Sequence, residues 1–185
     1  LVLDISLWSI FVYKAIFGSV IANAGLFALI QFINKRNKQA LFSTLIAVIL
    51  FFTLRPIVNK KCAFDYYKVF CYQSVSEEYI ERPILEAGYY IGPHLTDHIK
   101  DTASRYRRYA IKGLGRIKYE PSIPFLGNLL RDRSEKDYSR ADAFVALKMM
   151  NSSLSGSIID TYQKTVADSS DKNVLSLANL FLESK

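Results

Sequence analysis

Acidic residues are almost missing from the first third of this 185-residue chain: up to position 58 the only one is Asp4, against Lys14, Lys35, Arg36, Lys38 and Arg55. The other residues hold 19 bases and 16 acids, so the formal charge of +7 is +4 from the apolar third and +3 from the rest. That balance is no nucleic-acid-binding excess, and the high pI reflects bases that flank apolar stretches. Two cysteines exclude a disulfide-dense scaffold and eight glycines a collagen-like chain, while an apolar content of 50% excludes disorder. A Gly-rich phosphate loop, a nucleophile elbow and a metalloprotease helix are also missing, so catalysis finds no foothold and no cofactor is expected.

What is present comes first as two long apolar runs. One spans 15–33, bracketed by Lys14 and the polar run 34–39; the other spans 40–58, with Lys60 and Lys61 beyond it. Nineteen residues at ~1.5 Å each give ~28 Å, the hydrocarbon thickness of a bilayer. Residues 1–58 therefore read as a two-span membrane anchor in the form of a helical hairpin. Within it, 1–14 carries Trp8 and Tyr13 and either lies along the interface or extends the first span.

Gly18 and Ala22 lie four apart, a small-xxx-small face that lets another helix approach closely. Asn23 beside them would seek a hydrogen bond, for which Ser43, Thr44 or Thr53 of the second span is a candidate donor or acceptor. The face packs either within the hairpin or against another subunit. Three bases in 34–39 place that loop in the cytoplasm by the positive-inside rule, and both ends of the hairpin outside. The expected setting is a bacterial inner membrane with an extracytoplasmic C-terminal domain.

A connector at 59–86 leads to a helical pattern at 87–185. Here the chain repeats itself. At an offset of 33, Arg107 meets Arg140, Ala110 meets Ala143, Gly113 meets Ala146 and Leu114 meets Leu147. At 31, the run from His98 to Asp101 meets Leu129 to Asp132. The same offset of 33 carries Arg140 onto Asn173. A unit of 31–33 residues thus recurs about three times as helix pairs, at 87–101 with 105–118, 121–132 with 137–150, and 152–168 with 171–184.

The pattern Arg107-x-x-Ala110-x-x-Gly113-Leu114-Gly115-x-Ile117, then Pro121-x-Ile123-Pro124-x-Leu126-x-x-Leu129-Leu130-x-Asp132, then Arg140-x-x-Ala143-x-x-Ala146-Leu147, resembles the HEAT-like repeats of bacterial proteins, including relatives of the phycobilin lyases. The resemblance covers about 90–184. It implies a small α-solenoid whose usual work is holding partners, and it implies no activity by itself. The expected fold is all-α: a transmembrane hairpin followed by HEAT-like helical hairpins.

Three sets of residues are candidates for chemistry or contact. Arg105, Arg108, Lys112 and Arg116 form a basic stripe along 105–118, interleaved with Tyr106 and Tyr109. It is a docking face for an acidic protein or anionic headgroups, or else a solvated helix face. Cys62 and Cys71 could close a disulfide loop just outside the membrane, or stay as independent buried thiols. His94 and His98, four apart on one helical face, combine with the cysteines into a Cys2His2 metal set of poor spacing. Against the set, His98 occupies the repeat position of an apolar core residue, which suits a packed histidine with one satisfied nitrogen. The composition as a whole reads as a non-enzymatic accessory or scaffold subunit that contacts the bilayer and other subunits of a membrane complex. A metal- or cofactor-binding membrane protein is the alternative.

Overall fold

The computed structural model describes residues 2–74, 80–166 and 169–183, with the side chains of 169 and 170 left aside. All regular structure among the described residues is helical. Contacts divide the chain into two units, Leu1–Tyr72 and Gln73–Lys185. Part of the expected connector, 75–79, and the expected helix ends at 168 and 184 lie outside the described residues.

The first unit is a hairpin of α1 (Val2–Ile33) and α2 (Asn37–Tyr72). Its turn is short, closed by the amide of Arg36 on the carbonyl of Gln31, with Lys35 in the left-handed region at φ 57°. The polar run 34–39 is therefore only half loop, since α2 already begins at Asn37. The two helices meet along a seam. Along the apolar runs, Phe17, Ile21, Ala24, Ala28 and Gln31 are among the less exposed positions of α1, and Ala40, Ser43, Ala47, Leu50 and Leu54 among those of α2. Steps of three and four on both sides are the spacing of shallow-angle helix packing. Away from the seam both helices stay apolar, and Ile16, Leu26, Phe27, Leu45, Ile49 and Phe52 are all exposed. Both are long and apolar enough to cross a membrane.

Of the two arrangements expected for residues 1–14, the structure has the continuous one: from Val2 onward they belong to the same helix as the first apolar run. The helix of the second apolar run does not stop at 58, where a connector was expected to begin: α2 runs on to Tyr72 through Pro56, which removes one amide donor but leaves the helix unbroken. Beyond the apolar run the sequence stays amphipathic, and Cys62, Ala63, Tyr66, Val69 and Phe70 form its buried stripe. At about 1.5 Å per residue, α1 is about 48 Å long and α2 about 54 Å. At the end away from the turn, Ser9 Oγ donates to Asp65 Oδ2 (2.7 Å), Lys68 Nζ to Asp65 Oδ1 (3.2 Å) and Lys14 Nζ to the Tyr66 hydroxyl (2.7 Å).

The second unit begins with α3 (Arg82–Ala87), a 3-10 turn (Gly88–Ile91) and α4 (Gly92–His98). One helix was expected over 87–101, with connector before it. Pro83 and Pro93 each restart it, and Gly88 turns the chain at φ 61°. Then come α5 (Arg107–Arg116), a 3-10 turn (Glu120–Ser122), α6 (Ile123–Arg131), α7 (Asp137–Met150), α8 (Ser153–Lys164) and α9 (Ser169–Glu183). Ser152 caps α8 through a reciprocal bond with Ser155, and Asn151 ends α7 in the left-handed conformation. The central helix is α7, with ten of its fourteen residues buried, because α5, α6, α8 and α9 all pack on it. Ile111, Leu114, Leu126, Leu130, Ala143 and Leu147 make the core around it. Ala110, Ala146 and Ala178 are fully buried at helix crossings, where a larger side chain would hold the axes apart.

Candidate functional site

The repeated arginines do the same thing twice. Arg107 Nε donates to the carbonyl of Ile99 (2.8 Å) and Arg140 Nε to that of Leu130 (2.9 Å), so each ties the start of one helix to the end of the helix before it. The equivalence extends to the turn between: Asp101 Oδ1 accepts from the amide of Ala103, and Asp132 Oδ1 from that of Ser134, both at 2.9 Å. Each guanidinium then reaches forward to an acid of the following helix pair or its turn. Arg107 makes a two-bond fork to Glu135 (2.9 and 2.6 Å). Arg140 donates to Asp171, which also accepts from Arg133 (3.0 Å) and the Tyr162 hydroxyl (3.0 Å). At the third position Asn173 donates back to Asp137 (2.6 Å).

The charge logic of the Arg140 cluster is visible in its titration. Burial alone would raise the Asp171 carboxyl, but hydrogen bonds from Arg140, Tyr162 and Arg133 outweigh it and hold the group below its ordinary value. Burial and the neighbouring Asp171 push the Tyr162 phenol well above the usual range, although Arg140 opposes them. Glu135, Asp171 and Tyr162 were not singled out from the sequence. Their only signal was position, an acid near the start of the second helix of the pair that follows each repeated arginine.

The basic stripe is not an open cationic face. Arg108 grips Asp142 of α7 (2.6 and 3.3 Å), Lys112 stands 3.5 Å from the same carboxylate, and Arg116 pairs with Glu81 at 2.7 Å. Phe181 of α9 lies under both Arg108 and Lys112, and Tyr138 under Arg108. Arg105 and Arg116 are the exposed members, Arg105 stacked on its neighbour Tyr106. The expected docking stripe is thus largely an inter-helix ion-pair seam, since its counter-charges come from other helices.

Asp142 has no exposed surface, and burial raises its carboxyl above the ordinary value of 3.8 despite the pull of Arg108 and Lys112. Between 3.8 and that higher native value the folded state holds the proton longer, so this group makes stability fall as pH rises across the window. Asp142→Asn is expected to remove that slope in urea titrations at successive pH. At neutral pH it should cost only about 1 kcal/mol, because the partly exposed Arg108 and Lys112 can turn to water.

Neither cysteine is disulfide-bonded. Both lie on α2 nine residues apart, a rise of about 14 Å, whereas a disulfide joins Cα atoms roughly 4.4–6.8 Å apart. The same separation prevents the two sulfurs from sharing one metal ion. Among the described residues no three His, Cys, Asp or Glu side chains gather as a metal centre would need. His98 Nε2 lies 2.6 Å from the carbonyl oxygen of Arg105, bracing the turn into α5. Reducing agent is expected to leave the melting temperature unchanged, and unfolding with alkylation but no reductant should add two adducts by mass spectrometry.

In the hairpin, Gly18, Ala22 and Asn23 all lie on the exposed side of α1. A Cβ at Gly18 would meet nothing within 4 Å. Packing of this face inside the hairpin is therefore not what occurs. Asn23 Nδ2 bonds the carbonyl of Ser19 (2.8 Å), and Ser43, Thr44 and Thr53 likewise donate to carbonyls of their own helix. A further cleft of about 500 Å³ opens between the starts of α5 and α7, with Tyr106, Tyr109, Tyr138 and Lys136 on its walls. Its carboxylate, Glu135, is engaged by Arg107, which leaves the cleft a polar, aromatic contact surface.

No protein-family model, no curated protein and no solved structure matches the chain.

Proposed function

We propose that this chain is a non-enzymatic, membrane-anchored accessory or scaffold subunit of a larger membrane protein complex. The observation that carries the reading is the contrast between the two units. Outside their seam α1 and α2 expose apolar side chains on every face, while residues 73–185 fold around a core of their own. A surface such as that of the hairpin is costly in water and at home in hydrocarbon. The helical unit is read as a small HEAT-like solenoid, supported by the equal bonds of Arg107 and Arg140 and the equal turns at Asp101 and Asp132.

In this reading the exposed Gly18, Ala22 and Asn23 contact a partner transmembrane helix, and the polar repeat surface around Arg105 contacts soluble parts of the complex. The bases at 35, 36 and 38 hold the turn in the cytoplasm, with both ends of the hairpin outside, in a setting such as a bacterial inner membrane.

The test is gentle detergent extraction of the tagged chain at native expression, then size exclusion and mass spectrometry. A fixed stoichiometric set of membrane proteins is the expected result. A lone monomer or homo-oligomer would sink the subunit reading.

A further inference from the structure

The end of the hairpin away from its turn is built for a different surrounding than its middle. Leu7, Trp8 and Phe11 form one exposed apolar face there, with Trp8 67% exposed and its ring edge-on to Phe11 at 5.9 Å. At the same end stand the polar contacts of Ser9, Lys14, Asp65 and Tyr66, together with Lys60 and Lys61, both exposed.

The charges set the depth, on the reading that the hairpin spans a bilayer. From Lys14 to Lys35 lie 20 residues, all but Asn34 belonging to α1. That is about 30 Å, one hydrocarbon thickness. Sinking the hairpin further would draw Lys14, Lys60, Lys61, Asp65 and Lys68 into hydrocarbon, which disfavours each strongly. Held at this depth, Phe11 lies about 5 Å and Trp8 about 9 Å along the helix beyond Lys14. That is the headgroup layer, where indole and phenyl rings are stabilised by a half-apolar, half-wet surrounding. Asp4 falls one turn further out, in water.

We propose that this end of the hairpin seats in the headgroup layer of an anionic leaflet, Trp8 and Phe11 lying among the headgroups and Lys60 and Lys61 holding anionic phospholipid headgroups. Charge complementarity selects the lipid: Lys60, Lys61 and Lys68 stand at this end against Asp65, which Ser9 and Lys68 already engage. The proposal rests on the anchor reading and names the lipid that the anchor contacts.

Trp8 is the chain's single tryptophan, so its fluorescence reports on this face without substitution. The full chain is reconstituted in phosphatidylcholine vesicles with and without phosphatidylglycerol, with bromine placed either near the headgroup or near the chain end. Headgroup-proximal bromine is expected to quench most. In mixed vesicles brominated phosphatidylglycerol should quench beyond its mole fraction by about fivefold, the scale of one lysine at a charged surface. Lys60→Gln with Lys61→Gln should return that excess towards unity while the depth profile stays. Strongest quenching by deep bromine, or ready quenching by aqueous iodide, would overturn the seat. Silence to both lipid and iodide would mean that a protein covers the ring, which also overturns it. Equal quenching by the two lipids would overturn the anionic preference. Flotation with vesicles after alkaline carbonate washing is the separate check on the anchor: a chain that washes off defeats the anchor, whereas one that stays while the bromine pattern fails defeats only the seat.

Discussion

Arg140→Ala is expected to destabilise the C-terminal helices by about 3–5 kcal/mol, the scale of breaking a buried ion pair by removing one partner. Arg140 has no exposed surface, yet it is a long cation in the most buried helix of its unit. Its position is tenable because its guanidinium is satisfied on several sides: Nε by the carbonyl of Leu130, Nη2 by Asp171 and the Tyr162 hydroxyl (3.2 Å), and Nη1 within 3.6 Å of Asp137. Alanine would strand the carbonyl of Leu130 and leave Asp171 with only the half-exposed Arg133 and Tyr162. Lysine keeps the charge but not the fork, so Arg140→Lys should recover less than half of the loss. The measurement is a urea titration of the full chain in mild detergent, followed by far-UV circular dichroism. Amide exchange should locate the first loosening in α8 and α9.

Acid provides a second readout of the same cluster, with a definite sign. Asp171 is held below its ordinary value of 3.8, so its contribution is fully present above 3.8 and disappears as pH falls through the lower native value. Asp142 slopes the other way because burial wins there. The wild-type chain should therefore lose stability steeply at the acid end. Arg140→Ala, already without the main partner of Asp171, should show a shallower loss. An equally steep acid limb in the variant would mean that the Arg140–Asp171 contact does not govern it.

The sequence made some of this legible and hid the rest for identifiable reasons. Helix ends from α6 to α8 could be read closely because Pro121, Ser153 and the Asp132-Arg133-Ser134 turn act within a few residues of their own position. The equivalence of Arg107 and Arg140 was visible as an offset, and their bonds to Ile99 and Leu130 give the offset a physical cause. Their acids were not visible. Glu135 lies 28 residues from Arg107, and Asp142 lies 34 from Arg108. Helical periodicity reports which residues share a face of one helix, never which charge a neighbouring helix presents to it. For that reason Arg108, Lys112 and Arg116 read as an open stripe. In the hairpin, hydropathy marked where apolar residues end at 58, whereas α2 ends at Tyr72 because nothing between breaks a helix. The placement of Gly18 off the seam likewise depends on which side of α1 faces α2, and small residues alone do not choose it.

Gly115→Ala is expected to cost about 3 kcal/mol in overpacking, offset by roughly 1 kcal/mol from the better helix propensity of alanine. A Cβ at Gly115 would lie 2.5 Å from Ala146 Cα and 2.9 Å from both its Cβ and its carbonyl oxygen. Two of those atoms are backbone of α7 and the third is a Cβ fixed rigidly to it, and neighbours on several sides hold the helix in place. Relief must come from sliding α5 away, which opens the contacts of Ala110, Ile111 and Leu114 and lengthens the Arg108–Asp142 pair. Gly113→Ala is the informative comparison. Its Cβ meets the side chain of Ile84 and no backbone, at 2.7 Å from Cδ1, 3.0 Å from Cγ2 and 3.7 Å from Cβ, so rotation of Cδ1 and a shift of a few tenths of an ångström at Cγ2 relieve it. That variant should cost clearly less than Gly115→Ala once the propensity gain is counted. Thermal melts of the two variants test the point. If they destabilise equally, the close approach of α5 to α7 is not what Gly115 secures.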